Sequence, residues 1–260
     1  MVQPEQLKAT VIHSRRKLIT NEPEELMQTK KFAVAAVLLY ALISLLGTAR
    51  QIQAQSNQTA YSKMAPLEQY LMDRDAEIAL ARTAAPEDIS RDATILVLGR
   101  HGYETAVKGK NGFVCLVERA WMGPLEGINF NTKNRAPLCL NPQAVRFILP
   151  IDYKRTEQAL AGRSKEQIIE WTKAAYDKKE LPDFEPGGMA YMMSKVACLG
   201  PNCGNLAHVM FYTPVINGAA WGADVPHSPI LSFSQGPPEP FNVYLFPTGR
   251  WSDGTPAELP

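Results

Sequence analysis

Ala93–Trp121 reads ATILVLGRHGYETAVKGKNGFVCLVERAW, and this stretch decides the fold. Ala93–Leu98 is a short β-branched and aliphatic run closed by Gly99, Tyr103–Val107 is a second run, and Gly112–Trp121 is a third. Short runs of this composition bounded by glycine are strands. The centre of the third is apolar at successive positions, so both its faces are covered and it belongs inside a sheet. Between the second and third runs, Asn111-Gly112 is a hairpin signal, because both residues accept positive φ.

Upstream of this stretch the period is helical. Leu67, Tyr70, Leu71, Ile78 and Ala81 recur on one face from a start near Pro66, and Pro86 ends the helix by removing a donor. Downstream, residues 122–140 carry Gly, Pro and Asn and read as an irregular excursion. Asn141-Pro142 then supplies an N-cap and a first-turn proline for a helix bearing Val145, Ile148, Leu149 and Ile151, broken or kinked at Pro150 and stopped at Gly162. Ser164-Lys165-Glu166-Gln167 is a capping box opening a second helix through Ile168, Ile169, Trp171 and Ala175. Strands return at Met189–Ala197, Ala207–Thr213, Pro229–Ser234 and Phe241–Phe246, and the tail from Arg250 is polar and loose. Strands, then helices, then strands do not give the alternation of a parallel sheet. The expectation is an α+β fold, a mainly antiparallel sheet of about six to seven strands with helices packed on one face.

The 260 residues include 27 Lys+Arg and 26 Asp+Glu and are 45% hydrophobic, which excludes disorder over most of the length. The near-neutral balance argues against a partner bound through phosphate neutralisation, so no nucleic acid is expected. Phe32–Gly47 (FAVAAVLLYALISLLG) is sixteen residues without a charge, preceded by Lys30 and Lys31. A spanning helix needs about 20 apolar residues, whereas a basic start, a short apolar centre and small residues beyond it make a secretory signal. Met27 is read as the true start, residues 1–54 as extension and signal, 55–64 as a polar tether, 65–250 as one domain and 251–260 as a tail. Contact with a membrane is expected only through the signal segment, if it stays uncleaved. The Ser14-Arg15-Arg16-Lys17 stretch is set apart from the apolar run by Asn21-Glu22-Pro23-Glu24-Glu25, which favours the general secretory route. Residues 1–54 carry seven of the basic and four of the acidic residues, so the remainder holds 20 and 22, a net of −2. The localisation expected is periplasmic or extracellular.

Export makes the four cysteines candidates for disulfides. Cys198 and Cys203 enclose turn residues, and a bridge from Cys115 to Cys139 would fasten the excursion to the sheet; Cys115 could equally be a small buried apolar residue. Four cysteines allow three pairings, and the sequence does not choose. His208 shares a strand face with Met210 and Tyr212 by the period of two. Glu118 and Arg119 point to opposite faces. An inward Glu118 requires a partner, either a structural ion pair or a pocket in which Glu118, Tyr191 and His208 converge on a ligand. A metal held by His101, His208 and Asp224 is the other constellation. No cofactor is expected, since the chain has neither a G-x-G-x-x-G loop nor a Cys-x-x-Cys-His segment.

Glu77–Pro86 (EIALARTAAP), Asn111–Arg119 (NGFVCLVER), Arg135–Asn141 (RAPLCLN), Met189–Ser194 (MAYMMS) and His208–Pro214 (HVMFYTP) together resemble an uncharacterised family of exported bacterial proteins without an established activity. The resemblance covers roughly residues 70–250 and implies an exported single domain. Where that family carries Trp-His-Pro-His before Met-Phe, this chain has Asn205-Leu206-Ala207-His208, which puts a paired-histidine metal site in doubt. The leading expectation is a ligand-binding or structural module taking a small molecule. The alternative is a hydrolase or metal-dependent enzyme using His208 with Glu118.

Overall fold

The computed structural model describes residues 63–123, 130–200, 203–235 and 238–258. The segment read as an export signal, most of the stretch read as a tether and part of the Gly236-Pro237-Pro238 turn lie outside the described residues. The elements in chain order are α1 (Arg74–Arg82), α2 (Glu87–Ser90), β1 (Thr94–Gly99), β2 (Gly102–Val107), β3 (Val114–Glu118), β4 (Ala136–Leu140), α3 (Pro142–Leu160), α4 (Lys165–Asp177), β5 (Met189–Met192), β6 (His208–Pro214), β7 (Leu231–Gln235) and β8 (Phe241–Pro247). The strands form one sheet in the order β2-β1-β3-β4-β5-β6-β8-β7. Every neighbouring pair is antiparallel except β1 with β3. This is the expected α+β class with a mainly antiparallel sheet, and eight strands rather than six or seven.

The extra strand is β4, inside the stretch read as irregular. Its Pro137 masks it, since proline cannot donate to a ladder. Pro137 pairs with Val117 of β3, and β5 joins β4 only from Cys139 onward, so the missing donor falls where β4 has a partner strand on one side.

The hairpin also moves. β2 turns back on β1 through Gly99–Gly102, and Asn111-Gly112 does not join β2 to β3. Instead residues 108–113 fold under the start of β1 and return the chain parallel to it. The backbone amide of Lys110 donates to the Asp92 carbonyl at 2.8 Å, and the Asn111 side chain donates to the Ile89 carbonyl at 2.8 Å. A Cβ on Gly109 would stand 2.2 Å from the Thr94 nitrogen, so the crossing needs glycine there.

The two long helices lie on one face. Asn141 caps α3 by accepting from the Ala144 amide, and the capping box at Ser164 and Gln167 opens α4. Pro150 sits within α3, which runs on to Leu160. Ala144, Phe147, Ile148 and Ile151 of α3 pack with Ile168 of α4 on Leu96, Leu116, Leu138 and Leu140 of the sheet. The single helix expected from Pro66 is shorter. After a 3-10 turn at Leu67–Gln69, α1 starts at Arg74, where the Asp73 carboxylate accepts from the Asp75 and Ala76 amides. It takes the opposite face, where Ala81, Ala84 and Ala85 are small enough to let it close on Ile95, Cys115, Val117 and Cys139. Beneath it Arg119 donates to Glu77 at 2.9 Å, both fully buried, and to the Tyr70 carbonyl at 3.0 Å.

Both disulfides are present. Cys115–Cys139 joins directly opposed residues of β3 and β4, and Cys198–Cys203 closes a local loop. Disulfides persist in oxidising compartments, so the domain folds in such an environment. Among the described residues no helix is long and apolar enough to cross a membrane. Beyond Arg250 the chain is tied down: the Ser252 amide donates to the Met193 carbonyl at 2.9 Å, and Lys195 pairs with Asp253.

Candidate functional site

The helical repeat of α3 puts Ile148, Ile151, Asp152 and Arg155 on the stripe facing the sheet. Two charged residues on an otherwise apolar stripe are costly unless something is built around them. Asp152 and Arg155 are 2% and 3% exposed. Opposite them, the period of two sends Glu118 of β3 to the same side as Val114 and Leu116, and sends His208, Met210 and Tyr212 of β6 there as well. Glu239, just ahead of β8, comes in beside Arg155 and is 5% exposed.

Together these side chains line a cavity of about 600 Å³ between α3 and the sheet. Met192, Met210, Leu231, Phe241, Val243 and Leu245 supply its apolar wall. Leu199, Gly200, Gly204, Asn205 and Leu206, around the Cys198–Cys203 bridge, supply part of its rim. That rim is anchored by the reciprocal backbone bonds of Arg135 and Cys198, each 2.9 Å, and by Gly200, whose amide donates to Asn134 Oδ1 at 3.1 Å.

The charged end is unevenly matched. Arg155 pairs with Glu239 through one terminal nitrogen, and through the other donates to the Met122 and Gly123 carbonyls at 3.1 and 3.3 Å. Its Nε, and Oδ2 of Asp152, are buried without a hydrogen-bond partner among the described residues. Burial pushes the Glu118 carboxyl up to about 7 against the pull of Arg155. Asp152 is held well above the usual carboxylate range by burial first and by the nearby Glu118 charge second. Tyr176 of α4, on the same cluster, is raised by burial and by Glu239, and its hydroxyl also lacks a partner among the described residues.

His208 lies in the same cavity, 3% exposed, with Nδ1 2.7 Å from the Leu206 carbonyl. A carbonyl only accepts, so Nδ1 carries the proton and Nε2 is the ring's acceptor. Burial lowers the pKa of His208 and keeps the ring neutral.

Of the residues singled out in the sequence, Glu118 and His208 therefore share a cavity, and Tyr191 does not join them. Tyr191 alternates with Met192 on β5 and faces the other side, where it lies beside Phe113. The metal trio is not assembled either. His101 is exposed in the β1–β2 turn at one sheet edge, and Asp224 accepts from Ser232 of β7 at the other. Among the described residues no three His, Cys, Asp or Glu side chains stand close enough to hold a metal ion. Sequence reasoning missed Asp152, Arg155 and Glu239. The first two had a signal, charge on the buried stripe of a helix; Glu239, in a Gly-Pro-Pro-Glu-Pro segment, had none. Comparison with protein-family models, curated proteins and solved structures finds no match.

Proposed function

We propose that this is an exported domain that binds a small, largely apolar molecule in the cavity between α3 and the sheet. The observation that carries this reading is the cavity itself, about 600 Å³ with apolar walls and a cluster of ionisable groups at one end. Small-molecule sites have this size and this composition, a hydrophobic enclosure with a few polar groups that fix orientation. Export is supported by Lys30, Lys31 and the apolar run Phe32–Gly47, together with two disulfides that need an oxidising compartment. Titration of the full chain with the fluorescent apolar probe N-phenyl-1-naphthylamine tests the pocket. The expected result is saturable one-to-one binding that Met210→Trp, which fills the cavity, weakens by about tenfold or more. Equal binding by the two proteins refutes the assignment.

A second reading has its own observation. Glu118 holds its proton to about pH 7 and shares the cavity with a neutral His208 whose Nε2 can accept. A proton donor and an acceptor facing one cavity are the parts of a general acid–base hydrolase. Hydrolysis of a chromogenic ester or glycoside by the wild type and its loss in Glu118→Gln would move the assignment from binding to catalysis.

A further inference from the structure

We infer that the polar end of the bound molecule is a cation, an amine carried on an apolar body and seated between Glu118 and Asp152. This rests on the binding reading above and specifies what the pocket takes. The first observation is charge matching. Three carboxyls, Glu118, Asp152 and Glu239, converge on a single guanidinium, that of Arg155, and Glu239 already occupies it. Arg119 follows Glu118 in sequence but turns its guanidinium to the far face, into Glu77. Among the described residues Glu118 and Asp152 are thus left without a positive charge of their own.

The second observation is independent of charge. Asp152 lines the cavity, and its buried Oδ2 receives no hydrogen bond among the described residues. A buried acceptor left unmade costs free energy that a ligand N–H recovers. Arg155 Nε, the orphaned donor of the same cluster, is satisfied by a neutral oxygen next to the amine, whereas an anion placed there would stand against three carboxyls. A bare metal ion is the weaker occupant, since no three ligating side chains among the described residues are close enough to hold one. The apolar wall of Met192, Met210 and Leu245 then takes the hydrocarbon body.

Proton linkage follows from the surroundings. Glu118 of β3 and Asp152 of α3 are faced by Arg155 of α3, Tyr176 of α4, Tyr103 of β2, His208 and Tyr212 of β6, and Glu239 ahead of β8. A cation between two carboxyls that burial holds above their usual range displaces a proton, and with Glu118 raised to about 7 binding tightens as pH rises from about 5 to about 8.

The test compares octylamine, 1-octanol and octanoate, three ligands with one apolar tail, by calorimetric titration of the full chain. Octylamine is expected to bind about tenfold more tightly than octanol, with octanoate weakest, and its observed binding enthalpy should vary linearly with buffer ionisation enthalpy, the slope giving the protons released. Asp152→Asn should erase the amine's advantage over octanol, bringing the two affinities to within about twofold of each other. If near-UV dichroism shows that variant unfolded, Glu118→Gln serves the same comparison. Octanol binding as tightly as octylamine overturns the cation and leaves the apolar pocket standing. Failure of all three to bind overturns both.

Discussion

Glu118 and Asp152 both hold their protons above the usual carboxylate range, for reasons that differ in weight. Burial is the larger cause for each, but Asp152 also feels the charge of Glu118, so the two cannot both ionise cheaply in one cavity. Folding stability inherits this. The unfolded chain releases the Glu118 proton near its ordinary value of 4.5, whereas the folded chain keeps it to about 7. Between those values the folded state binds more protons, so the contribution of this group to stability falls as pH rises through the window and is constant above it. His208 works in the opposite sense, since its folded pKa is lowered and its contribution is lost as pH falls below 6.5. Comparing variant with wild type isolates the carboxyl. Glu118→Gln should gain on wild type by up to roughly 3 kcal/mol between about pH 4 and about pH 8. Urea unfolding across that range checks it, and a difference flat in pH would reject the protonated carboxyl. Removing Arg155 is another matter, because it would leave Glu239 buried and unpaired.

At the level of elements, the pairing of β3 with β4 organises both faces of the sheet. Leu116 and Leu138 meet the long helices, while Cys115 and Cys139 lie under α1 and are bridged there. The bridge spans a separation of 24 residues, for which loop-closure entropy predicts about 3 kcal/mol of stabilisation. The Cys115→Ser/Cys139→Ser double variant should lose about that much in urea unfolding. Replacing the 198–203 pair, which closes a far shorter loop, should cost less and act mainly on ligand binding through the cavity rim. A larger loss from the 198–203 pair would contradict this ranking.

The elements also show what was legible in the sequence. Capping chemistry is local, so Asn141 and the Ser164–Gln167 box marked the starts of α3 and α4 correctly. Strand partnership is not local. Asn111-Gly112 has the chemistry of a hairpin, yet the amides of residues 110 and 111 are claimed by the Asp92 carbonyl, and the parallel pairing of β3 with β1 wins. The same limit applies to the site. Alternation could place Glu118 and His208 on faces of strands, but only the sheet order decides that Tyr191 looks away, and only tertiary packing brings Glu239 across to Arg155.

On the scale of the whole domain, one sheet separates two apolar layers that share their strands. Leu96 and Leu98 of β1 belong to the layer under α3 and α4, and Ile95, the residue just before Leu96, belongs to the layer under α1. Neither layer can be exposed without withdrawing support from the other, because a strand that leaves one face leaves both. The cavity sits within the larger layer, with its acidic end fixed by α3, β3 and the approach to β8. The carboxyl terminus adds a further tie, since Ser252 and Asp253 reach back to Met193 and Lys195 at the end of β5. This interdependence predicts a single cooperative unfolding of the described domain with both disulfides intact. Far-ultraviolet dichroism reports the helices, near-ultraviolet dichroism reports Trp121, fully buried beside Tyr70, and 8-anilinonaphthalene-1-sulfonate reports exposed core. The three urea curves should superimpose. If the near-ultraviolet signal or dye binding changes at lower urea than the helical signal, the two layers come apart separately and the shared-strand argument fails.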